Sequence, residues 1–234
     1  MTWTEYWNQD TSIYVNDRHK RVHYEKIAQD VRRLVPSPAA RVADYGCGEA
    51  ISADQIAAAC GELILCDSAE TVRQRLAARY ADRENIDVIS PEAFEALPAG
   101  SIDMIVVNSV VQYLSRAEFG RLLRVWRDKM RPGGQLVLAD VVPPDVSPYG
   151  DAFELLKFAA ANGFAFAAFA GLVRSYFSGY RQTRERLGFL QLSEAEASRA
   201  MQEAGLTPRR HHPNIGHNAR RMTFVGTPAP SVSA

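Results

Sequence analysis

The 234-residue sequence carries no excess of charge of either sign, because 27 lysine and arginine residues balance 27 aspartate and glutamate residues. A chain of this balance has no overall field that would favour nucleic acid or an anionic membrane as a partner. It has only three cysteines, Cys47, Cys60 and Cys66, and their spacing is not that of a metal site or a disulfide framework. We therefore expect no metal centre and no nucleic-acid partner.

Long apolar runs are also missing, although 47% of the residues are hydrophobic. No uninterrupted run approaches the roughly 20 residues that cross a bilayer as a helix. The first residues lack the basic start and apolar core of a secretory signal. This composition suits one globular domain with elaborations, and we expect a cytoplasmic location.

The most informative segment is Arg41-Val-Ala-Asp-Tyr-Gly-Cys-Gly-Glu-Ala50, in which an apolar run ends in Asp44 and two glycines. It predicts a buried strand, a tight loop and a helix, and the glycines let a ligand approach the main chain. Asp67 follows about one strand–helix unit later, where a carboxylate can accept both hydroxyl hydrogen bonds of a ribose. The third glycine of a dinucleotide site would fall at Ile51, so the pattern indicates a different nucleoside-containing cofactor.

Strands and helices alternate along the chain up to Asp140, which predicts a mainly parallel sheet with helices on both faces. Ligands of such sheets bind beyond the carboxyl ends of the strands. The predicted helices cover residues 20–35, 52–60, 69–82 and 116–130, and the last two strands cover 206–212 and 221–226 as a hairpin. Four residues fall at the predicted carboxyl ends and should share one crevice: Gly46, Asp67, Glu92 and Asn108.

Three stretches resemble motifs of the class I S-adenosylmethionine-dependent methyltransferases. Residues 44–50 resemble the family's acid-x-Gly-x-Gly-x-Gly motif, with Ala50 in place of the last glycine. Asn108-Ser-Val-Val-Gln-Tyr-Leu114 resembles the motif after the fourth strand of small-molecule methyltransferases, especially the N-methyltransferase domains of peptide synthetases. Residues 131–140 resemble the Pro-Gly-Gly turn that enters the fifth strand. The resemblance spans residues 40–142.

The resemblance implies an α/β, Rossmann-like, three-layer fold with a seven-stranded, mostly parallel sheet, an antiparallel last strand and a helical insertion after strand five. The implied parts are an N-terminal helical lid (1–40), the core (41–142), the insertion (143–192), the last helix and strands (193–227) and a tail (228–234). The implied cofactor is S-adenosylmethionine, with S-adenosylhomocysteine as its product. The implied cofactor-binding residues are Asp44, Tyr45, Gly46, Cys47, Gly48, Asp67, Ser68, Pro91, Glu92, Asn108 and Ser109.

Candidate catalytic residues are Tyr14, His19, His23 and Gln112. The two histidines are four residues apart and share a helix face, so one could be a general base near neutral pH, or both could be surface residues of a polar face. No third ligand accompanies them, which argues against a metal pair. The candidate acceptor-binding residues are Tyr113, Phe158, Tyr176 and His217.

An apolar insertion at 151–173, with a break expected near Asn162-Gly163, bears on the acceptor. It could be a lid over a hydrophobic acceptor, a membrane-docking surface, a homodimer face, or a segment packed on its own domain. The predicted reaction is methyl transfer to an oxygen or nitrogen of a small, partly hydrophobic molecule. The alternatives are a membrane-associated lipid or quinone methyltransferase and an inactive methyltransferase-fold scaffold, as a monomer or a homodimer. The aromatic residues that would line a lid are Phe153, Phe158, Phe164, Phe166, Phe169, Tyr176 and Tyr180.

Overall fold

The computed structural model describes residue 5 and residues 14–145, 148–169 and 189–229. Within these ranges, helices and strands alternate along the chain as predicted. The helices are α1 (Asp17–Arg32), α2 (Ala53–Ala57), α3 (Glu70–Arg79), α4 (Pro91–Glu95), α5 (Arg116–Lys129), α6 (Pro148–Ala161) and α7 (Glu194–Glu203), with a 3₁₀ turn at Val111–Tyr113. The strands are β1 (Arg41–Tyr45), β2 (Glu62–Cys66), β3 (Ile86–Ile89), β4 (Ile102–Asn108), β5 (Met130–Val141), β6 (Leu206–His211) and β7 (Met222–Pro228).

The strands form one sheet in the order β3-β2-β1-β4-β5-β7-β6. β7 pairs antiparallel with both of its neighbours, and the pairs among β1 to β5 are parallel. The predicted Rossmann-like sheet with its antiparallel last strand is therefore confirmed. In the register, Tyr45 lies opposite Cys66 and Asn108 lies opposite Ala139, so these strands end at the same edge.

Helices cover both faces of the sheet, because alternate residues of the buried strands are apolar on each side. On one face α1, α2 and α3 pack Val31, Ile56 and Leu76 against Val42 and Leu65. On the other face the fully buried side chains of α4, α5 and α7 meet the alternate strand residues. These include Phe94, Leu123, Trp126, Met201, Ile64 and Ile105. The result is the three-layer arrangement that the sequence predicts.

Two helices have bounds that differ from the predicted ones, and hydrogen bonds at the helix ends explain the difference. α1 starts three residues earlier than predicted, because the Asn16 side chain accepts a hydrogen bond of 2.8 Å from the His19 backbone. α2 is shorter than predicted, and the Ala58 amide donates to both Asp54 and Ile56, a tightened last turn. α7 begins at a capping box that Ser193 and Glu196 form.

The described part of the insertion consists of α6 and a helical stretch at 165–169. The break falls at Asn162-Gly163, where Gly163 has a φ of +73° and the Asn162 side chain donates to the Phe158 carbonyl. Beyond it, Phe164 joins a small apolar cluster with Ala159 and the partly buried Val15. The insertion thus packs on the N-terminal segment, away from the two large cores.

Candidate active site

The loop after β1 is held against the end of β2 by its own backbone. The Gly46 and Cys47 amides both donate to the Cys66 carbonyl, at 2.7 and 3.1 Å. Gly46 has a φ of +74°, and a Cβ at this position would lie 2.4 Å from Val110 Cγ2. Gly48 has a φ of +58°. A Cβ at Gly48 would lie 2.9 Å from the Tyr24 hydroxyl. Both loop positions therefore favour glycine, and the backbone is open to close approach by a ligand.

Asp67, at the end of β2, fixes the other side of this loop. Its Oδ2 accepts from the Gly48 amide at 2.9 Å, and its Oδ1 accepts from the Ala69 amide at 2.8 Å. Arg73 donates to the Asp67 carbonyl at 2.8 Å. Burial nevertheless raises the pKa of the Asp67 carboxyl. Each carboxylate oxygen retains a further acceptor site, which the hydroxyls of a ribose could use.

A cleft opens beside the loop. Asp44 supplies a carboxylate to its wall, and the buried Asn108 Oδ1 has no hydrogen-bond partner within the described ranges. Both are acceptors that an ammonium group would satisfy. The cleft, called the cofactor cleft below, is lined by Tyr24, Ile27, Ala28, Asp44, Gly46, Cys47, Ala50, Ser52, Ala53, Ile56 and Asn108.

Three chain segments bring a group of rings together next to the glycine loop. The His19 ring stacks on Phe164 with centroids 5.1 Å apart, and Phe158 stacks on His217 at 4.5 Å. The His23 centroid lies 5.6 Å from that of His217. The group, called the ring cluster below, comprises Tyr14, His19, His23, Phe158, Phe164 and His217.

Tyr24 connects the ring cluster to the cofactor cleft. Its hydroxyl accepts a hydrogen bond of 3.0 Å from the Glu49 amide in the glycine loop. Its ring lies 5.8 Å from that of Tyr14 and 5.5 Å from that of His23. Lys20, one helical turn earlier, pairs with the Glu49 carboxylate at 2.7 Å. Helix α1 is therefore bonded directly to the loop that it covers.

Residues 42–134 match the family model of a methyltransferase domain. The match covers the glycine loop and the end of β4, which border the cofactor cleft, and Asp67, which accepts from the Gly48 amide of that loop. This part of the chain is a class I S-adenosylmethionine-dependent methyltransferase domain. The predicted family and cofactor are thereby confirmed. Asp44 and Asn108 in the cofactor cleft fit the ammonium group of S-adenosylmethionine, and Asp67 beside the glycine loop fits its ribose.

Solved structures share the methyltransferase fold over most of this chain, at sequence identities that show the fold alone. The YcgJ protein of Bacillus subtilis is 15% identical, with a TM-score of 0.56 over 80% of this chain and 70% of that one. A putative methyltransferase in complex with the Haloferax volcanii Trm112 activator is 14% identical, with a TM-score of 0.62 over 98% and 99%. Magnesium protoporphyrin IX methyltransferase of Synechocystis, with bound S-adenosylhomocysteine, is 14% identical, with a TM-score of 0.57 over 95% and 90%. No curated protein matches the chain.

Tyr45 corrects one prediction about the methyltransferase domain. We expected it at the cofactor, but its side chain is buried on the opposite face of the sheet, in edge contacts with Phe94 at 5.1 Å and Trp126 at 5.3 Å. The reason is strand alternation, since Tyr45 follows Asp44 and must point the other way. Cys47 and Gly48 stay beside the cleft, and burial raises the pKa of the Cys47 thiol.

The remaining predicted residues lie at the rim of the methyltransferase site or outside it. Ser68 and Glu92 are exposed and Pro91 is half-buried, at the ends of β2 and β3. Gln112 is buried with its Oε1 unpartnered among the described residues, whereas the ring of Tyr113 contacts Phe189. Tyr176 and Tyr180 lie outside the described residues.

Three phenylalanines of the insertion are exposed to solvent, which corrects the prediction that they line a lid over the acceptor. Phe153, Phe166 and Phe169 are 61%, 87% and 60% exposed, so they do not line the ring cluster. Only Phe158 and Phe164 of the described phenylalanines in the insertion face it. Over the described ranges, no helix is long and apolar enough to span a membrane, and no group of three or more acidic, histidine or cysteine side chains could hold a metal ion.

Two residues with strained backbones lie at the ends of β4 and β5, and the second of them, Asp140, was not predicted as a site residue. Ser109 and Asp140 have φ values of 59° and 58°, unusual for residues other than glycine. The Ser109 hydroxyl donates to Asp140 Oδ2 at 2.8 Å, and the Asp140 amide donates to Asn214 Oδ1 at 3.3 Å. Asn214 Oδ1 also accepts from the Thr223 hydroxyl at 2.7 Å. This network fixes the loop that carries His217.

Burial and the neighbouring imidazoles lower the pKa of His19 to about 4 and that of His23 to about 3. Both rings are therefore neutral at physiological pH. These values fall below the neutral range that we expected for a general base, because the buried charged form is poorly solvated. Burial also raises the pKa of Tyr14 to about 12, so its hydroxyl keeps its proton.

The lowered pKa values predict a loss of stability in acid. Below about pH 6.5 the unfolded chain binds protons at His19 and His23 that the folded chain excludes, so stability present above that pH is lost as the pH falls toward 4. We expect on the order of 2 kcal/mol per histidine between pH 7 and pH 5. Urea unfolding at both pH values measures it.

Asp44 acts in the opposite direction, because its raised pKa stabilises the folded state in acid. The comparison that isolates the histidines is therefore between the wild type and the double variant His19→Phe/His23→Phe. The double variant should lose less stability between pH 7 and pH 5 than the wild type does. Equal losses would contradict the buried, neutral state of the two imidazoles.

Proposed function

We propose that this methyltransferase transfers a methyl group to an oxygen or nitrogen atom of a small, partly hydrophobic molecule bound at the ring cluster. The observation that carries the proposal is the position of Tyr24. Its hydroxyl accepts a hydrogen bond from the glycine loop, and its ring contacts Tyr14 and His23 of the ring cluster. A molecule held by those rings would thus lie next to the cofactor cleft, in a site of apolar and uncharged groups.

Three polar side chains in the cofactor cleft or beside the glycine loop would bind the cofactor. S-adenosylmethionine, when bound, supplies a methyl group on a positively charged sulfur. Asp67 would accept the ribose hydroxyls, while Asp44 and the Asn108 Oδ1 would accept from the ammonium group. The two loop glycines would admit the methionine part against bare backbone.

The proposed contribution of the ring cluster is alignment and exclusion of water. The methyl donor is intrinsically reactive, so a fixed orientation and a dry site can supply much of the rate. Neutral His19 and His23 would orient the acceptor by hydrogen bonds. They would remove a proton poorly in the ligand-free state, because their pKa values of about 4 and about 3 are far from neutral.

Calorimetric titration with S-adenosylhomocysteine, with NAD in parallel, tests the cofactor half of the proposal. We expect micromolar binding of S-adenosylhomocysteine and none of NAD, since Ile51 stands where a dinucleotide loop needs glycine. Transfer of a labelled methyl group from S-adenosylmethionine to acceptors graded by lipophilicity tests the other half. Cofactor binding without transfer to any acceptor in the series would favour the scaffold alternative.

The Asp44 carboxyl should make cofactor binding depend on pH. Burial, and then the nearby Asp67, raise its pKa to about 7. An arriving ammonium group favours the charged carboxylate, so binding in the neutral range must release the proton that Asp44 holds. We expect the affinity for S-adenosylhomocysteine to rise several-fold from pH 6 to pH 8, as calorimetry would measure. Asp44→Asn should bind more weakly and lose this rise, and an unchanged rise in that variant would contradict the assignment.

A further inference from the structure

The ring cluster gathers three imidazoles from two separate segments, and within the described ranges no carboxylate is among the groups that shift the pKa values of His19 and His23. His19 and His23 lie on α1, and His217 comes from the loop between β6 and β7. Their centroids are 5.6 to 6.4 Å apart. Burial and the other imidazoles lower the pKa of both α1 histidines. The two α1 imidazoles are thus neutral in the ligand-free protein, and no carboxylate of the described residues acts to stabilise a charge on either ring.

His23 offers an unused nitrogen in this site. Its Nδ1 is buried and has no hydrogen-bond partner within the described ranges. His19 differs, because its Nδ1 accepts a long hydrogen bond of 3.4 Å from the Val15 amide. In neutral His19 the proton must then be on Nε2, which makes that nitrogen a donor. A buried polar atom without a partner is costly, so His23 Nδ1 indicates a missing ligand.

The charged groups around the ring cluster are mostly engaged elsewhere. Glu49 is paired with Lys20, and the Arg18 side chain donates to the Asn162 carbonyl at 2.6 Å. Asp30, further along α1, accepts from Lys26 and from the Gly216 amide. Glu154 is buried one turn before Phe158 on α6. Tyr14 and Tyr24 keep their protons, because burial raises both pKa values.

We propose that the ring cluster recognises the methyl acceptor as an aromatic acid, with its ring among the aromatic side chains and its oxyanion on His23. This inference rests on the proposed function and names the acceptor class of the same site. An oxyanion beside His23 favours the charged imidazolium, so that Nδ1 takes a proton from solvent and becomes a donor to the oxyanion. Phe158 and Phe164 provide the flat apolar contacts that an aromatic ring prefers.

Three probes of nearly equal shape and different charge test the inference: benzoate, benzamide and benzylammonium. They are titrated into the protein saturated with S-adenosylhomocysteine at pH 6. We expect benzoate to bind about tenfold more tightly than benzamide or better, since a charge-assisted hydrogen bond replaces a neutral one. Benzylammonium should not bind. Imidazole ¹⁵N spectra should show His23 becoming protonated as benzoate is added.

Variants assign the effect to the cluster. His23→Phe keeps a ring of similar size and should lower the benzoate affinity about tenfold with little effect on benzamide. His23→Gln is the second variant, and binding of S-adenosylhomocysteine reports that each variant is folded. His211→Gln, on the edge strand β6 and outside the ring cluster, should bind benzoate as the wild type does.

The inference is overturned if benzamide binds as tightly as benzoate, if benzylammonium is preferred, if His23 variants bind benzoate normally, or if no probe binds the loaded protein. Failure of the proposed function looks different, because the protein would then not bind S-adenosylhomocysteine at all. Intact cofactor binding combined with a failed probe series removes only the aromatic-acid acceptor.

Discussion

Asp67→Ala is expected to weaken S-adenosylhomocysteine binding by on the order of 2 to 4 kcal/mol, the value of two hydrogen bonds from ribose hydroxyls to a carboxylate. The same side chain accepts from the Gly48 and Ala69 amides, so its removal also loosens the glycine loop before any ligand arrives. Both effects act in the same direction. Calorimetric affinities of the wild type and the variant measure their sum.

Asp87→Ala is the matched control, since Asp87 is an exposed carboxylate on the adjacent strand β3. It should leave cofactor affinity unchanged. Asp67→Asn separates the two effects, because an amide oxygen can still accept one loop hydrogen bond. An Asp67→Ala variant that binds S-adenosylhomocysteine as tightly as the wild type would refute the ribose assignment.

Gly46→Ala should destabilise the protein and abolish cofactor binding at ordinary concentrations. Alanine at a φ of +74° costs roughly 1 to 2 kcal/mol, and its Cβ would lie 2.4 Å from Val110 Cγ2. Overpacking of this kind typically adds about 1 to 3 kcal/mol. Chemical denaturation should therefore show a loss of about 2 to 5 kcal/mol.

Gly133→Ala isolates the backbone part of that loss. Gly133 has a φ of +80°, and a Cβ there would meet no atom within 4 Å. Its substitution should cost only the conformational strain and leave cofactor binding intact. Adding Val110→Ala should restore part of the stability that Gly46→Ala loses, because it removes the Cγ2 methyl group that the new Cβ would contact. Equal losses for both glycine variants, with no rescue, would contradict the steric account.

The sheet and the class of cofactor were predictable because their signals are local. Asp44, Gly46 and Gly48 lie within five residues, and Asp67 follows at a distance that one strand–helix unit fixes. Tyr45 was assigned wrongly to the same loop, although alternation along β1 already implied that its side chain points away from that of Asp44.

The acceptor half was predictable only in pieces. The spacing of His19 and His23 places them on one helix face, but their meeting with His217 depends on how the β6–β7 loop folds back onto α1. That loop is fixed by Asn214, Thr223 and Asp140, which are up to 83 residues apart in the sequence. The positive φ values of Ser109 and Asp140 have no sequence signal, because neither residue is a glycine.

Tyr24 has a consequence for how the cofactor and the acceptor affect each other's affinity. Because its hydroxyl holds the Glu49 amide and its ring borders His23, the cofactor and the acceptor would share one wall. Whatever orders that wall for one ligand favours the other, and linkage requires the coupling to be equal in both directions. If S-adenosylhomocysteine tightens acceptor binding tenfold, the acceptor must tighten S-adenosylhomocysteine tenfold, and a dead-end complex of the two would form readily. Such a protein would be subject to strong product inhibition, so its turnover would depend on the removal of S-adenosylhomocysteine.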